Sequence, residues 1–264
     1  MIKNNQLDSV DLKLFYDKTY SDGYKKVFTK YVNGKDTSET NNILGDTVDW
    51  KGKKVLDFGC GPGITAKLLS EKGAIVHGMD FSKNAISVAD KLTSQKLSFS
   101  EGSIDDIKDK YDIILSIGTI EHMESPEYAI KKFSEHLNPC GRIILTCPNW
   151  TNTGGYIQIA LYYLFNLKIT LSDLYFFSPY DFEEFASKFG MKLEKWFTFD
   201  HSLGNGDIMV NDMDTRLKNI FKEDDRVSYE SIEKLTHWLE KNKRYTTSST
   251  NNGASAIYVF KKKQ

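Results

Sequence analysis

Residues 55 to 63 read Val55-Leu56-Asp57-Phe58-Gly59-Cys60-Gly61-Pro62-Gly63, an apolar run that ends in an acid and continues with glycine at every second position. A short apolar run entered through the charged residues 51–54 predicts a strand buried on both faces, and residues 64–72 predict a helix behind it. The glycines therefore lie at a strand-to-helix turn. Glycine there permits a positive φ and lets a ligand approach the backbone, while the first N–H groups of the helix favour electron-rich ligand groups.

The spacing of the glycines narrows the class of ligand. A dinucleotide fingerprint needs a third glycine at position 64, which is Ile64, and no G-x-x-x-x-G-K-[ST] phosphate loop follows any strand. The pattern that remains is E/D-x-G-x-G-x-G, formed by Asp57, Gly59, Gly61 and Gly63. In this pattern the chain resembles the class I S-adenosylmethionine-dependent methyltransferases. The resemblance implies S-adenosyl-L-methionine as the cofactor.

The resemblance also implies a fold. It is an α/β, Rossmann-like sheet of seven strands in the order 3-2-1-4-5-7-6, with the last strand antiparallel and helices on both faces. Apolar runs predict the later strands, with helices between them. The predicted strands span residues 96–100, 111–117, 142–147, 191–199 and 254–261. The predicted helices span residues 126–137, 179–189, 215–221 and 229–242. Residues 201–252 separate the last two strands, which is far longer than a hairpin loop.

One domain, residues 1–264, is the simplest partition of a chain of this length. Within it we expect N-terminal covering helices at residues 1–50 and a cofactor-binding core at 51–150. A lid or substrate segment follows at 151–190, and a helical specificity insertion lies at 201–252.

An acid near the end of the second strand is expected to hold the ribose hydroxyls. Asp80 lies 23 positions beyond Asp57, the separation that one strand-helix-strand unit gives, although an acid there also suits a helix N-cap. In the family an acid after the third strand contacts adenine, and here that position is Ser103, so either its hydroxyl or Asp105 accepts the adenine amino group. The predicted cofactor contacts are Asp57, Gly59, Cys60, Gly61, Gly63, Asp80, Phe81, Ser103, Ile104, Asp105, Ile117 and Gly118.

Glu121 and His122 directly follow the fourth strand and are the predicted catalytic pair. A hydroxyl acceptor needs a base, and an imidazole or carboxylate supplies one. The pair resembles the Glu-His pair of ubiquinone-pathway O-methyltransferases, in which it helps to hold a divalent cation. In that group a further acid precedes the pair by three positions, where this chain has Gly118. That departure counts against a cation, but Asp200 or His201 could replace the acid, so the predicted Mg or Mn ligands are Glu121, His122, Asp200 and His201. The alternative role of His122 is to orient the next helix.

Two features bear on the acceptor. Aromatic residues after the fifth strand predict either a substrate lid or core packing, and the candidate substrate contacts are Tyr162, Tyr175, Phe176 and His201. The polar side chains of residues 201–252 favour a hydroxyl-rich small molecule such as a nucleotide-activated sugar, whereas the aromatic residues suit a phenol.

The composition argues against a nucleic-acid-binding, exported or membrane protein. The formal net charge of −1 does not favour nucleic acid as a partner, and three cysteines without paired spacing suit a reducing cytoplasm. No signal core and no run of 18 apolar residues is present, so we expect neither export nor a membrane partner.

The sequence thus predicts a cytoplasmic S-adenosylmethionine-dependent methyltransferase that acts on a hydroxyl of a small molecule. Four alternatives stay open: an N-methyltransferase, a cyclopropane-synthase-like enzyme, an NAD-linked enzyme, and an inactive scaffold that binds the cofactor. The cyclopropane-synthase alternative rests on residues 116–122, which look like the stretch where those enzymes hold a bicarbonate base.

Overall fold

The computed structural model describes residues 1–3, 43, 45, 48–167, 173–222, 226–242 and 251–263. The chain forms two compact units. Unit 1 comprises Met1–Cys147, Ser172–Trp196 and Ile257–Gln264, and unit 2 comprises Pro148–Leu171 and Phe197–Ala256. The predicted N-terminal covering helices, apart from a few residues of the 1–50 segment, lie outside the described residues.

A seven-stranded sheet organises the fold. The strands of the chain are β1 (Ile2–Lys3), β2 (Lys54–Phe58), β3 (Ile75–Asp80), β4 (Leu97–Glu101), β5 (Tyr111–Ile117), β6 (Leu137–Pro148), β7 (Tyr175–Phe176), β8 (Met191–Phe199) and β9 (Ser255–Lys262). Along the width of the large sheet the strands lie in the order β4-β3-β2-β5-β6-β9-β8, and a separate two-stranded sheet pairs β1 with β7. Counted from β2, the strand that precedes the glycine turn, this is the order 3-2-1-4-5-7-6 with the last strand antiparallel, so the predicted fold is confirmed.

The central strand β2 is buried on both faces, which is why it reads as an unbroken apolar run. Val55 pairs in parallel with Val76 of β3 and with Ile113 of β5, and Val55 and Leu56 are fully buried. Because β2, β3 and β5 run parallel, their carboxyl ends meet at one edge of the sheet. Asp57 and Asp80 are both carried to that edge.

Two predicted elements were too short. The fifth strand was predicted from residue 142, where the apolar run begins, but β6 starts at Leu137, which pairs with Tyr111 across an irregularity in the register. The helix predicted at 215–221 spans Asp207–Ile220, because Met209, Val210 and Met213 extend its buried face toward the N-terminus. In both cases tertiary packing continues an element beyond its local signal.

The helices between the strands begin and end close to the predicted positions. Helix 126–135 has Ser125 at its N-cap, although that side chain makes no capping hydrogen bond, whereas Ser178 and Asp181 form a complete capping box at helix 179–188. The helices are α1 (Ile64–Glu71), α2 (Lys83–Ala89), α3 (Pro126–Glu135), α4 (Thr153–Phe165), α5 (Pro179–Lys188), α6 (His201–Asn205), α7 (Asp207–Ile220) and α8 (Tyr229–Asn242).

Unit 2 has its own apolar core. Met209, Met213 and Leu217 on one face of α7 pack with Ile232 and Leu239 of α8. Partly buried residues of α4 complete this core, namely Ile157, Leu161 and Phe165. The predicted insertion 201–252 therefore folds together with α4. Among the helices of the described residues, none has both the length and the apolar character that a membrane crossing requires.

Candidate functional site

The glycine turn after β2 is held against the end of β3. Gly59, Gly61 and Gly63 have φ angles of 74°, 52° and 79°. The backbone N–H groups of Gly59 and Cys60 both donate to the carbonyl oxygen of Met79, at 2.8 and 3.1 Å. The turn therefore needs left-handed backbone at three positions, which glycine adopts without a steric penalty.

Packing gives a second reason for two of these glycines. A Cβ on Gly59 would lie 2.4 Å from Oγ1 of Thr119, and one on Gly63 would lie 2.6 Å from the ring of Phe99. The sequence argument assigned the missing side chains to ligand approach, whereas at these two positions protein side chains occupy the space. Between them lies Cys60, and burial raises the pKa of its thiol so that it stays neutral.

Asp80 anchors the glycine turn from the end of β3. Its Oδ2 accepts from the N–H of Gly61 and its Oδ1 accepts from the N–H of Ser82, both at 2.8 Å. Burial raises the pKa of Asp80, and the two backbone hydrogen bonds oppose that change. The N-cap of α2 is Ser82, whose Oγ accepts from the N–H of Ala85 at 3.3 Å. Ser82, and not Asp80, therefore caps this helix. Its ribose-binding role stays a prediction.

Asp57 is a buried carboxyl at the same edge, with 2% of its surface exposed. Its Oδ2 has no hydrogen-bond partner among the described residues. Burial first, and then the charge of Asp80, raise the pKa of Asp57 from 3.8 to about 7, against the effect of an N–H donated by Ala66. A buried acceptor without a donor is costly, so this oxygen suits a ligand that brings a donor or a positive charge.

Two aspartates of the loop after β4 hold it in place through hydrogen bonds and an ion pair. Oδ2 of Asp106 accepts from both the N–H and the hydroxyl of Ser103 at 2.8 Å, which forms a capping box around the short helix at 104–106. Asp105 accepts from the hydroxyl of Tyr128 at 2.6 Å and lies 3.3 Å from Nζ of Lys132. These partners lower the pKa of Asp105.

Sequence reasoning overlooked the capping box, although the Ser-x-x-Asp spacing from Ser103 to Asp106 signals one. The Ser103 hydroxyl already accepts the backbone N–H of Asp106 in this box and keeps one lone pair for an adenine amino group, while Asp105 is shared with two partners from α3. Of the predicted contacts nearby, Phe81 is 48% exposed and Ile104 and Ile117 are half-buried. The adenine contact stays a prediction.

Glu121 and His122 lie in a short helical turn at Ile120–His122, directly after β5. Gly118 lies between β5 and this turn with a φ of 52°, and its N–H donates to Oγ1 of Thr146 at 2.9 Å. Glu121 is buried, with 3% of its surface exposed, and its Oε1 lies 3.9 Å from Nε2 of His122. The predicted pair is thus held at the sheet edge next to the glycine turn, which Thr119 contacts.

A third acid, Asp173, joins this pair. Its Oδ1 lies 3.7 Å from Nδ1 of His122, and its side chain is also largely buried. The donor atoms of Glu121, His122 and Asp173 all lie within 4.8 Å of one another. No pattern in the sequence links position 173 to position 122, so sequence reasoning missed this residue.

The three side chains fit the chemistry of a divalent cation. Carboxylate oxygens with an imidazole nitrogen suit Mg²⁺ or Mn²⁺, and two ligands about 2.1 Å from one ion stand roughly 3.0 to 4.2 Å apart in octahedral geometry. The predicted ligands Asp200 and His201 belong to unit 2 and are not members of this group. Asp200 precedes α6 with a φ of 55°, and Nδ1 of His201 lies 3.0 Å from Oδ1 of Asn252.

The candidate substrate aromatics occupy buried positions. Tyr175 and Phe176 are 6% and 2% exposed, and the ring of Tyr175 stacks on Phe177 with 5.9 Å between centroids. In unit 2, Tyr162 is 8% exposed and meets Tyr163 edge to face. These contacts are those of core side chains, and a lid role for them stays a prediction.

Comparison with known proteins gives a family. A family model described as a methyltransferase domain matches residues 37–242. The ubiquinone biosynthesis O-methyltransferase of Coxiella burnetii is 31% identical over 153 residues, which cover 54% of this chain and 65% of that protein. The chain thus spans less than two thirds of the length of this curated relative.

Solved structures agree on the fold. A methyltransferase from Haloferax volcanii, solved in complex with the Trm112 methyltransferase activator, superposes with a TM-score of 0.61 at 18% identity, covering 94% of this chain and 98% of that one. Magnesium protoporphyrin IX methyltransferase from Synechocystis with bound SAH gives a TM-score of 0.54 at 15% identity, with coverages of 98% and 89%. At these identities the similarity establishes the fold alone.

Proposed function

Because this chain belongs to the methyltransferase-domain family, we propose that it is an S-adenosylmethionine-dependent methyltransferase that methylates a hydroxyl of a small molecule. The observation that carries the proposal is the pair of buried carboxyls, Asp57 and Asp80, at the glycine turn. Asp80 accepts hydrogen bonds from two backbone N–H groups, those of Gly61 in the turn and of Ser82, and Asp57 has a buried oxygen for which the described residues offer no donor.

The cofactor, when bound, supplies a methyl group activated as a sulfonium. We assign Asp80 to the ribose hydroxyls, and the assignment is supported by the lone pair that each of its oxygens retains beside the backbone bond it accepts. Oδ2 of Asp57 offers negative charge to the positively charged end of the same molecule. Ser103 is the residue we assign to the adenine amino group.

Hydroxyl methylation needs a group that takes the acceptor's proton. His122 is assigned as that base, with Glu121 beside its Nε2. A positioned base contributes about 10² to 10⁴-fold, whereas alignment of the reactants contributes up to roughly 7 to 11 kcal/mol. We therefore expect loss of the imidazole to slow methyl transfer strongly without abolishing it.

Binding of a divalent cation, Mg²⁺ or Mn²⁺, is a second role that we propose for the side chains after β5. Glu121, His122 and Asp173 are the residues that would hold it, and its chemistry there would be to lower the pKa of the acceptor hydroxyl. The addition of chelator to purified protein, followed by metal analysis, separates this role from that of a metal-free base.

We propose two classes of methyl acceptor. A nucleotide-activated sugar is supported by the polar composition of residues 201–252, and a phenol is supported by the aromatic residues Tyr162, Phe176 and Phe177. Both carry the hydroxyl that a base at position 122 would serve. The net charge of −1 supports a small-molecule partner over nucleic acid.

Titration calorimetry followed by a turnover assay tests the proposal. The protein is expected to bind S-adenosylmethionine, and mass spectrometry with a deuterated methyl donor should show labelled sugar or phenol together with S-adenosylhomocysteine. His122→Ala should keep cofactor affinity and lose turnover, whereas Asp80→Asn should lose affinity. Binding without any labelled product would indicate a scaffold, and binding of NAD instead would refute the cofactor assignment. Labelled amines or lipids would indicate the N-methyltransferase or cyclopropane-synthase alternatives.

A further inference from the structure

The loop after β4 fixes the direction of one hydroxyl proton. Oγ of Ser103 lies 2.8 Å from Oδ2 of Asp106 and donates to that oxygen. We propose that Asp106 is a positioning residue, which leaves the Ser103 hydroxyl able only to accept, so that this loop selects a 6-amino purine over a 6-oxo purine. The inference rests on the proposed function, in which Ser103 contacts the adenine amino group.

The charge of Asp106 decides which of the two side chains donates. The backbone N–H and then the hydroxyl of Ser103 lower the pKa of Asp106, so this side chain is a carboxylate at neutral pH. A carboxylate accepts hydrogen bonds and donates none, whereas a serine hydroxyl donates one and accepts two. The proton between the two side chains therefore belongs to Ser103. One lone pair of Ser103 accepts the backbone N–H of Asp106, and the other remains for a ligand.

The Ser103 hydroxyl lies close to the acid that we assign to the ribose. Strand β4 pairs in parallel with β3, and Glu101 stands opposite Asp80 in the register. The N–H of Gly102 donates to the carbonyl oxygen of Asp80 at 3.0 Å, and Ser103 follows directly. Because Ser103 is exposed at this edge of the sheet, a ligand can reach its remaining lone pair.

The other acid of this loop is held by helix α3. Oδ1 of Asp105 accepts from the hydroxyl of Tyr128 at 2.6 Å, and the same oxygen lies 3.3 Å from Nζ of Lys132. Both partners belong to α3, so they compete with a purine base for this carboxylate. The negative charge that acts on the base is therefore that of Asp106, and it acts through the Ser103 hydroxyl.

The two purines differ in the group that they present at position 6. Adenine carries an amino group, which donates, and hypoxanthine carries an oxygen, which accepts. An acceptor-only hydroxyl pairs with the amino group but faces the oxygen with lone pair against lone pair, and polar groups left unpaired in a site are costly. A serine hydroxyl that rotates freely would pair with either purine. The selectivity therefore depends on Asp106 and not on Ser103 alone.

Titration calorimetry of the full chain with S-adenosylhomocysteine and with its deaminated form, S-inosylhomocysteine, measures this selectivity. The wild type should bind the adenine ligand about tenfold more tightly. Asp106→Asn keeps the size of the side chain, but its amide can donate to Ser103 and release the hydroxyl proton. We expect the ratio of the two dissociation constants to fall below about threefold, because S-inosylhomocysteine gains a donor. The ligands also differ at N1, which affects all variants alike, so the test compares ratios between variants.

Tyr128→Phe is the matched control, because it removes the hydroxyl that Asp105 accepts and loosens the same loop without altering Ser103. This control should weaken both ligands to the same extent and keep their ratio, as a purely structural change in the loop would. Ser103→Ala should lose the preference, and Ser103→Thr should keep it because the hydroxyl remains. Asp106→Glu should recover part of the preference that Asp106→Asn loses.

An unchanged ratio in Asp106→Asn would overturn the proposal, and so would a wild type without preference. If Asp106→Asn does not fold, an unchanged ratio in Ser103→Ala overturns it, as does a loss of the preference in Asp105→Asn alone. In all of these results S-adenosylhomocysteine still binds, so the cofactor assignment stands. A wild type that binds neither ligand would refute the cofactor assignment and this inference together, whereas the expected ratios without methyl transfer would refute only the proposed function.

Discussion

Replacement of Asp57 by asparagine should stabilise the cofactor-free protein at neutral and alkaline pH. The carboxyl is buried, one of its oxygens has no donor among the described residues, and its pKa is raised from 3.8 to about 7. Asparagine has nearly the same shape and can still accept the N–H of Ala66, but it carries no charge. The substitution therefore removes the cost of burying a carboxylate beside Asp80.

The magnitude follows from the two pKa values of Asp57. At about 1.4 kcal/mol per pH unit, the difference between 3.8 and about 7 corresponds to roughly 4 kcal/mol. Below pH 3.8 the group is protonated in both the folded and the unfolded chain, so it adds no pH dependence there. Between pH 4 and 7 the unfolded chain loses its proton first, and the free energy of unfolding falls as the pH rises. Above about pH 7 the carboxyl is charged in both the folded and the unfolded chain, so the free-energy cost of burying its charge no longer changes with pH.

Urea unfolding of both proteins from pH 4 to pH 8, followed by circular dichroism, measures the effect. The variant should gain up to about 4 kcal/mol over the wild type at pH 8 and almost nothing at pH 4. Glu194→Gln is the control of opposite sign, because Arg142 lowers the pKa of Glu194, so this variant should lose less than about 1 kcal/mol at pH 8. A constant difference between Asp57→Asn and wild type across this range, or a less stable variant at pH 8, would refute the reasoning. Weaker S-adenosylmethionine binding should accompany the gain in stability.

The remaining predictions test the turn and the core of unit 2. Gly59→Ala should destabilise the protein and weaken cofactor binding at least tenfold, since its Cβ meets Thr119. Gly190→Ala is the control, because at a φ of 65° no atom of the described residues lies within 4 Å of an added Cβ, and it should cost only roughly 1 to 2 kcal/mol in urea unfolding. Equal losses of unfolding free energy in the two variants would contradict the packing argument. Asp80→Asn should weaken cofactor binding roughly 10- to 150-fold in calorimetry, as expected for lost charged hydrogen bonds, and unchanged affinity would exclude its role. Met213→Ala should destabilise the protein by roughly 2 to 5 kcal/mol in urea unfolding, and a cost below about 1 kcal/mol would disprove its place in the core.

Local patterns in the sequence were enough to predict the framework. The strands at Tyr111–Ile117 and Met191–Phe199 and the helix at Tyr229–Asn242 have the predicted bounds, because burial imposes a periodicity that can be read along the chain. The separation of Asp57 from Asp80 placed both at the sheet edge for the same reason, since a parallel strand-helix-strand unit has a nearly fixed length. The strand order followed from the family resemblance.

Only the tertiary structure decided which side chains meet. Thr119 fills the space beside Gly59, Tyr128 shares the carboxylate of Asp105, and Asp173 lies next to His122. Each of these contacts joins residues 20 or more positions apart, and sequence spacing within one element does not encode them. Such contacts depend on how separate strands and helices pack, and burial then sets the charge state of groups such as Asp57, which the residue type alone leaves at its ordinary pKa.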